Sequence, residues 1–450
     1  MNVRSRLSRN RLRVAFAVVI LLSVAVLAYG SGTGVSTATP ADVPRPEPRD
    51  GHTVITESGR AGTIVAYAPD GSLPYYNDSR TKYFDVDPVE GEALTVEYAA
   101  TDTIHTAGPT CEDPPCARNV IERANISTGE TEVIYERYDH RERAGEWHDH
   151  VRISETHLLI ADIVADQVFV VNTETGIVEW LWDAQGEFPL EGGGSYPGDW
   201  AHINDVSLLE DGRVMVSLRN QDQVVFIDPG TGVGDDWTLG AEDDHDVMFE
   251  QHNPDYVPAS RGGPAVVVAD SENGRVEEFR RVDGEWERTW EWADDRMQWP
   301  RDADRLPDGN TLIADTHGKR VFEVAPDGEI VWQVPMTLPY DVERLETGDE
   351  SAGGRSAVEL GLESRVAGGG AEEGGFDPVG ILASVVRAVL PHRVVNGILY
   401  VTPAWMGASE FSAAVAGLLA VVAWTGLELR WLIGGFGVGL RSPVFRRGEE

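Results

Sequence analysis

Four stretches of this chain share one register, and the register puts a histidine or an arginine at the same point each time. The stretch from Arg301 through Asn310 to Asp315 covers the same 14 steps as the stretch from His148 to Asp162. With two extra residues in the turn, His202 to Leu218 fits the frame; with four extra, His252 to Asp270 fits it. Six residues past each closing position stands a valine: Val168, Val224, Val276 and Val321. An alternating strand follows, then a Gly turn and another apolar strand that often holds Trp, as in Val321-Phe322-Glu323-Val324, Gly328 and Val331-Trp332. Two earlier copies, around Ile64 to Gly71 and Val120 to Gly129, keep this ending but lack a clear first strand. Units of about 50 residues, each with several short strands, form the β-propeller pattern. One such unit is a small antiparallel sheet that cannot bury both faces alone, so neighbours must stack.

The repeat also closes on itself. Pro339-Tyr340-Asp341-Val342-Glu343-Arg344-Leu345 matches Pro300-Arg301-Asp302-Ala303-Asp304-Arg305-Leu306. It is a first strand with no outer strands after it, whereas residues 52–71 are outer strands with no first strand before them. Joined, the two ends make one blade and remove two free sheet edges. The expectation is an all-β, six-bladed β-propeller over residues 51–350 rather than an open solenoid. A closed ring aims His148, His202, His252 and Arg301 at one axis, which makes a candidate site from residues far apart in sequence.

Asp and Glu number 75 against 37 Lys and Arg, giving a formal net charge of −38. Lys82 and Lys319 are the only lysines. Such a surface stays hydrated in high salt, and it lacks the basic footprint that nucleic-acid binding needs. An acidic chain can also be disordered, but 42% hydrophobic content and 13 Trp exclude that for the central region.

Five arginines within residues 4–13 precede an apolar run over 14–29. Basic flank plus apolar run is a signal peptide or a signal anchor; the lack of a clear small-x-small cleavage site favours the anchor. The reading is an anchor or transmembrane segment over 1–31, a Ser/Thr/Pro tether over 32–50, the propeller over 51–350, a Gly-rich acidic linker over 351–377 and a C-terminal membrane region over 378–450. That region holds a transmembrane helix near 408–432, followed by Arg430, Arg441, Arg446 and Arg447. The shorter apolar stretch 379–390 contains Arg387 and is expected at the membrane interface rather than in a third span with 394–405. Positive charge at the outer flank of each span puts both termini in the cytoplasm and the propeller outside the cell membrane. Cys111 and Cys116 are expected to pair as a disulfide there, a metal site needing more ligands. Asn77-Asp78-Ser79 and Asn125-Ile126-Ser127 are glycosylation sequons.

Three blades carry motifs with chemistry in them. They are Trp147-His148-Asp149; Trp200-Ala201-His202-Ile203-Asn204 with Ser217-Leu218-Arg219-Asn220-Gln221; and Gln251-His252-Asn253 with Asp270-Ser271-Glu272-Asn273-Gly274. Imidazoles beside a guanidinium and an amide suit an anionic substrate, since Arg219 offers a fork for oxyanions and Asn204 a neutral donor. An imidazole nitrogen is also able to attack an electrophile and form a covalent intermediate. Arg219 with a protonated His148 or His202 is expected to supply the positive pocket. His105, His140, His157, His245, His317 and His392 fall outside the register and read as surface or turn residues. The acidic run Glu242 to Asp246 reads as solvated rather than as a calcium site.

These motifs resemble those of the arylsulfate sulfotransferases. In its acidic, membrane-tethered form the chain is similar to arylsulfotransferase-family proteins of haloarchaea. The resemblance covers about residues 50–350. It implies a six-bladed propeller that moves a sulfuryl group from a phenolic sulfate ester to another phenol, through a transiently sulfated histidine and without a nucleotide sulfate donor, cofactor or metal. It places the nucleophile at His252 and its catalytic partners at His148, His202 and Arg219. Asn204 is implied as a substrate-binding group, and Arg301 joins it by register. The Asn253-Pro254 that follows His252 departs from the family's usual polar–apolar run. A non-catalytic extracellular propeller that binds a ligand or partner protein is the competing reading, because propellers host many functions.

Overall fold

A computed structural model of the chain describes residues 3–33, 37–59, 61–140, 145–366 and 392–435. The chain divides into two compact units. One comprises Met1–Gly34, Gly374–Leu390 and Trp405–Glu450; the other comprises Val35–Glu373 and Pro391–Ala404.

The larger unit is a six-bladed β-propeller. Blades 1 to 5 occupy residues 82–139, 147–183, 203–240, 252–292 and 300–335, each a four-stranded antiparallel sheet, with one extra short strand in blade 3. Blade 6 is assembled from both ends of the domain. Its inner strand Pro339–Arg344 pairs with Thr53–Glu57 in the register Thr53↔Arg344, Val54↔Glu343, and Ile64–Tyr67 and Tyr75–Asn77 follow outward. The split repeat therefore closes as the sequence predicts.

The second strands of blades 2 to 5 are mainly apolar on both faces because a neighbouring blade covers each side. All six residues of Ala265–Asp270 are buried, as are all five of Thr311–Asp315. The core consequently lies between blades. Phe84 and Ile121 of blade 1 pack with Trp147, Ile160 and Phe169 of blade 2, and Val267 and Val276 of blade 4 with Ile313 and Phe322 of blade 5.

A chain of polar links runs around the axis. Asp85, Asp149, Asp302 and Asp341 each stand one residue past the register position. Each accepts the backbone N–H of the next blade's inner strand, from His150 (3.3 Å), Val206, Val342 (3.0 Å) and Val86 (2.6 Å) respectively. The other two junctions use Asn204 Nδ2 donating to Gln251 O (2.8 Å) and Ser271 Oγ donating to Pro300 O (2.7 Å).

Blade 1 does have an inner strand, Lys82–Pro88. Its sequence hid it: Lys82, Asp85 and Asp87 break the apolar pattern, and Phe84 stands where blades 2 to 5 carry His or Arg and blade 6 carries Tyr340. Two expected linkers also prove to be packed structure. In the stretch 37–50, Trp332 Nε1 donates to Glu47 O and Tyr67 OH to Pro44 O (both 2.9 Å). In 351–366, Ser356 caps the short helix Ala357–Leu360, whose first N–H meets the Glu278 carboxylate at 2.8 Å. Cys111 and Cys116 form a disulfide. The Asn77 and Asn125 amide nitrogens donate within the protein, to Tyr75 OH (3.2 Å) and Thr95 Oγ1 (3.2 Å).

In the smaller unit, the helices Val3–Thr33 and Ala408–Gly435 run antiparallel: Arg13 pairs with Glu428 near one end and Gly30 approaches Glu410 near the other. Their segments Arg9–Gly32 and Ser409–Ile433 are long and apolar enough to cross a membrane. The apolar stretch 379–390 and the arginines beyond residue 435 lie outside the described residues. The stretch 394–405, weighed above as part of a third span, lies largely in the helix His392–Val401, which belongs with the propeller unit.

Candidate active site

Each register residue sits where an inner strand begins. In all six inner strands the ladder slips there: between Tyr83 and Val86, Trp147 and Asp149, Ile203 and Asp205, His252 and Asp255, Pro300 and Asp302, and Pro339 and Val342. Such bulges bend a strand and re-aim its side chains. Several residues here also hold left-handed backbone, with φ of 51° at His202, 49° at Glu250, 35° at Asn253 and 57° at Trp299. Such positions cost of order 1–3 kcal/mol each and persist only when the surroundings hold them. Buried aspartates do the holding. Asp166 accepts Ala201 N–H (2.9 Å), Asp222 accepts Glu250 N–H (2.8 Å), Asp270 accepts Phe249 N–H (2.8 Å) and Asp315 accepts Gln298 N–H (2.8 Å).

Around the channel the rings form a circuit. Centroid distances are 5.2 Å from His148 to His202, 6.5 Å from His202 to His252, 6.3 Å from His252 to Tyr340 and 5.4 Å from Tyr340 to His148. Arg301 lies over Tyr340 (4.9 Å) and Trp299 (4.7 Å) and donates to Ser58 Oγ (2.6 Å). Arg219 Nη2 pairs with Glu250 (2.8 Å). The structure thus brings together His148, His202, His252, Arg219 and Arg301. Asn204 is fully buried, and its amide N–H is engaged by Gln251 O, so it braces the peptide next to His252.

The three imidazoles differ in which nitrogen is taken. His148 donates from Nε2 toward Glu146 (3.5 Å), and its Nδ1 accepts from Tyr340 OH (3.1 Å). His202 donates from Nδ1 to Asp199, and its Nε2 accepts from Arg219 Nη1 (3.0 Å). His252 Nδ1 lies 2.8 Å from Ser271 Oγ. Because the Ser271 hydroxyl donates to Pro300 O, it accepts from His252, which fixes the proton on Nδ1. His252 Nε2 is left buried, unprotonated and without a partner. Arg219 Nε and Arg301 Nε are likewise buried without an acceptor.

Burial is the main cause that lowers the pKa of all three histidines. It takes His148 down to about 3; for His202 the Arg219 charge adds to it, and for His252, well below 6.5, Arg301 and then Arg219 add to it. The expected protonated His148 or His202 is therefore corrected: at neutral pH the imidazoles are uncharged, and the positive charge of the site comes from Arg219 and Arg301.

The sequence reading gave no site role to Tyr340, Glu146, Asp199, Ser271 or Trp299. Tyr340 was within reach, since the Pro339–Leu345 match sets it opposite Arg301. His317, read as a surface or turn residue, is buried with its ring 4.5 Å from Trp299. The helix His392–Val401 reaches the same rim: Arg393 pairs with Glu250 (3.0 Å), Asn396 donates to Glu272 (2.7 Å) and Tyr400 packs on Trp299 at 5.9 Å.

No curated protein matches the sequence. Among solved structures, the chain is similar to a protein of unknown function from Bacteroides caccae, at 11% identity over 65% of this chain and 97% of that one, with a TM-score of 0.45. It is also similar to the periplasmic gluconolactonase PpgL of Pseudomonas aeruginosa, at 13% identity over 65% and 98%, with a TM-score of 0.43. Residues 148–275, the stretch that carries His148, His202, Asn204, Arg219 and His252, match the family model described as Arylsulfotransferase (ASST).

Proposed function

We propose that this propeller transfers a sulfuryl group from an aryl sulfate ester to a phenolic acceptor, with His252 as the covalent carrier. The observation that supports it most is the His252 imidazole: of the three site histidines it alone keeps a nitrogen lone pair with no partner. The family match over residues 148–275 supplies the reaction class.

In the first half-reaction the Nε2 lone pair attacks sulfur, the N–S bond forms, and the ester S–O bond breaks with its electron pair leaving on the phenolate. The unfilled N–H donors of Arg219 and Arg301 bind the sulfuryl oxygens as charge develops. The Tyr340 hydroxyl, held against His148 Nδ1 (3.1 Å), hands its proton to the departing phenolate and is left as a tyrosinate beside Arg301. In the second half it takes the proton of the acceptor phenol, whose oxygen attacks sulfur and releases His252. Two half-reactions on one carrier require ping-pong kinetics in donor and acceptor. The carrier must be uncharged to attack, so protonation stops the reaction. With its pKa held below the ordinary 6.5, the acid limb of kcat/KM, which reports the free enzyme, should fall below pH 6.5. Intersecting rather than parallel kinetic lines, or an acid limb above that value, would argue against His252 as carrier.

We further assign the propeller to the outer side of the cell membrane, anchored at both ends with both termini cytoplasmic. The support is the Arg-rich flank of the first helix, Arg430 at the end of the second, and their antiparallel packing. Protease added to intact cells freed of any outer layer should digest the propeller; digestion only after lysis would reverse the topology.

A further inference from the structure

Beyond the histidines the channel turns acidic. Asp255 lies three residues past His252 and Asp304 three past Arg301, about 7 Å further along their strands, because each strand bulges in between. Asp304 is fully buried and Asp255 nearly so. Glu350 joins them from the turn that follows the closing strand, and the three carboxylates come within 4.8 Å of one another. The same Glu350 stands within 4.8 Å of Asp85 and Asp341.

Most of these acids have donors. Asp85 and Asp341 accept from the inter-blade ring, and Asp255 accepts from Ser351 Oγ. Asp304 is different: neither of its oxygens meets a backbone, hydroxyl, amide or guanidinium donor or solvent, and its one hydrogen-bonding neighbour is the Glu350 carboxyl of the same cluster. Arg305 beside it does not serve, because its guanidinium lies over Trp290 (4.7 Å) and near Glu278 (3.4 Å). A buried carboxylate without donors is costly unless it is neutralised. A cation neutralises it and uses its lone pairs.

We propose that Asp255, Asp304 and Glu350 bind one hard divalent cation of the Ca2+ class inside the channel. The donors are all oxygen, with no thiolate or imidazole among the three, which selects a hard ion over a transition metal. They come from blade 4, blade 5 and the turn after the closing strand, so the ion ties the closing strand to two blades that it does not pair with. It is a structural site, separate from the histidine cluster.

The test uses full-length protein in detergent, stripped with a chelator and held at constant NaCl. Metal analysis after Ca2+ reloading should find one ion per chain. Ca2+ at about 100 times its Kd should raise Tm by about 5 °C. Asp304→Asn should lose both the ion and the shift. Asp205→Asn, at another buried channel acid outside the triad, should keep both. A wild-type protein that binds no stoichiometric Ca2+ and shows no Tm response overturns the site, its carboxylates then sharing protons. So does an Asp304→Asn protein that responds like wild type, or a response that extra NaCl of equal ionic strength reproduces. Should Asp304→Asn fail to fold, the wild-type stoichiometry and Tm titration still decide.

Discussion

Replacing His252 with alanine is expected to abolish sulfuryl transfer, with kcat falling by on the order of 10^4-fold or more, as loss of a covalent nucleophile does in other enzymes. Neither neighbouring imidazole is placed to substitute. His148 Nδ1 is occupied by Tyr340 and His202 Nε2 by Arg219. Arg219→Ala should cost less, about 10^2- to 10^3-fold, through both KM and kcat, because Arg301 still supplies charge to the oxyanion. Steady-state rates on proteins of matched Tm check both. A His252→Ala protein with wild-type turnover would remove the carrier.

A chain ending at residue 337 should unfold or aggregate, while one ending at 366 should stay folded and monomeric. The shorter chain loses Pro339–Arg344, and with it the ladder to Thr53–Glu57 and the Asp302–Val342 and Asp341–Val86 links. Thr53–Glu57, buried along its whole length, then becomes an open sheet edge that templates association. The expected loss exceeds the whole net stability of a typical domain, about 5–15 kcal/mol. Thermal unfolding and size-exclusion chromatography separate the two chains; a folded, monomeric short form would contradict closure through the split blade.

Blades 2 to 5 were legible because their second strands are apolar runs that close 14, 16, 18 and 14 residues past a His or Arg, the difference lying in the turn. The split blade was legible because Pro339–Leu345 repeats Pro300–Leu306. Blade 1 was legible only in its outer part, Val120 to Gly129; its inner strand Lys82–Pro88 was not, since it mixes charge with aromatics and carries Phe84 at the register point. The five residues that would support catalysis were missed for a physical reason. Glu146 and Asp199 precede their histidines in loops whose course no periodicity sets, and Ser271 reaches His252 from the end of the neighbouring strand, a pairing that appears only once the blade is folded. The neutral state of the histidines was equally hidden, because burial at the channel axis is a property of the closed ring. The helix His392–Val401 was read from its hydropathy, yet its Arg393 and Asn396 bind acids of the propeller rim.

The most direct test is to trap the carrier. Wild-type protein given an aryl sulfate without acceptor should gain the mass of one sulfuryl group, located by peptide mass spectrometry on His252 and discharged as a new aryl sulfate when a phenol is added. The label should be absent from His252→Ala. Turnover without any label on His252, or a label that forms instead on His148, His202 or Tyr340, would contradict the account.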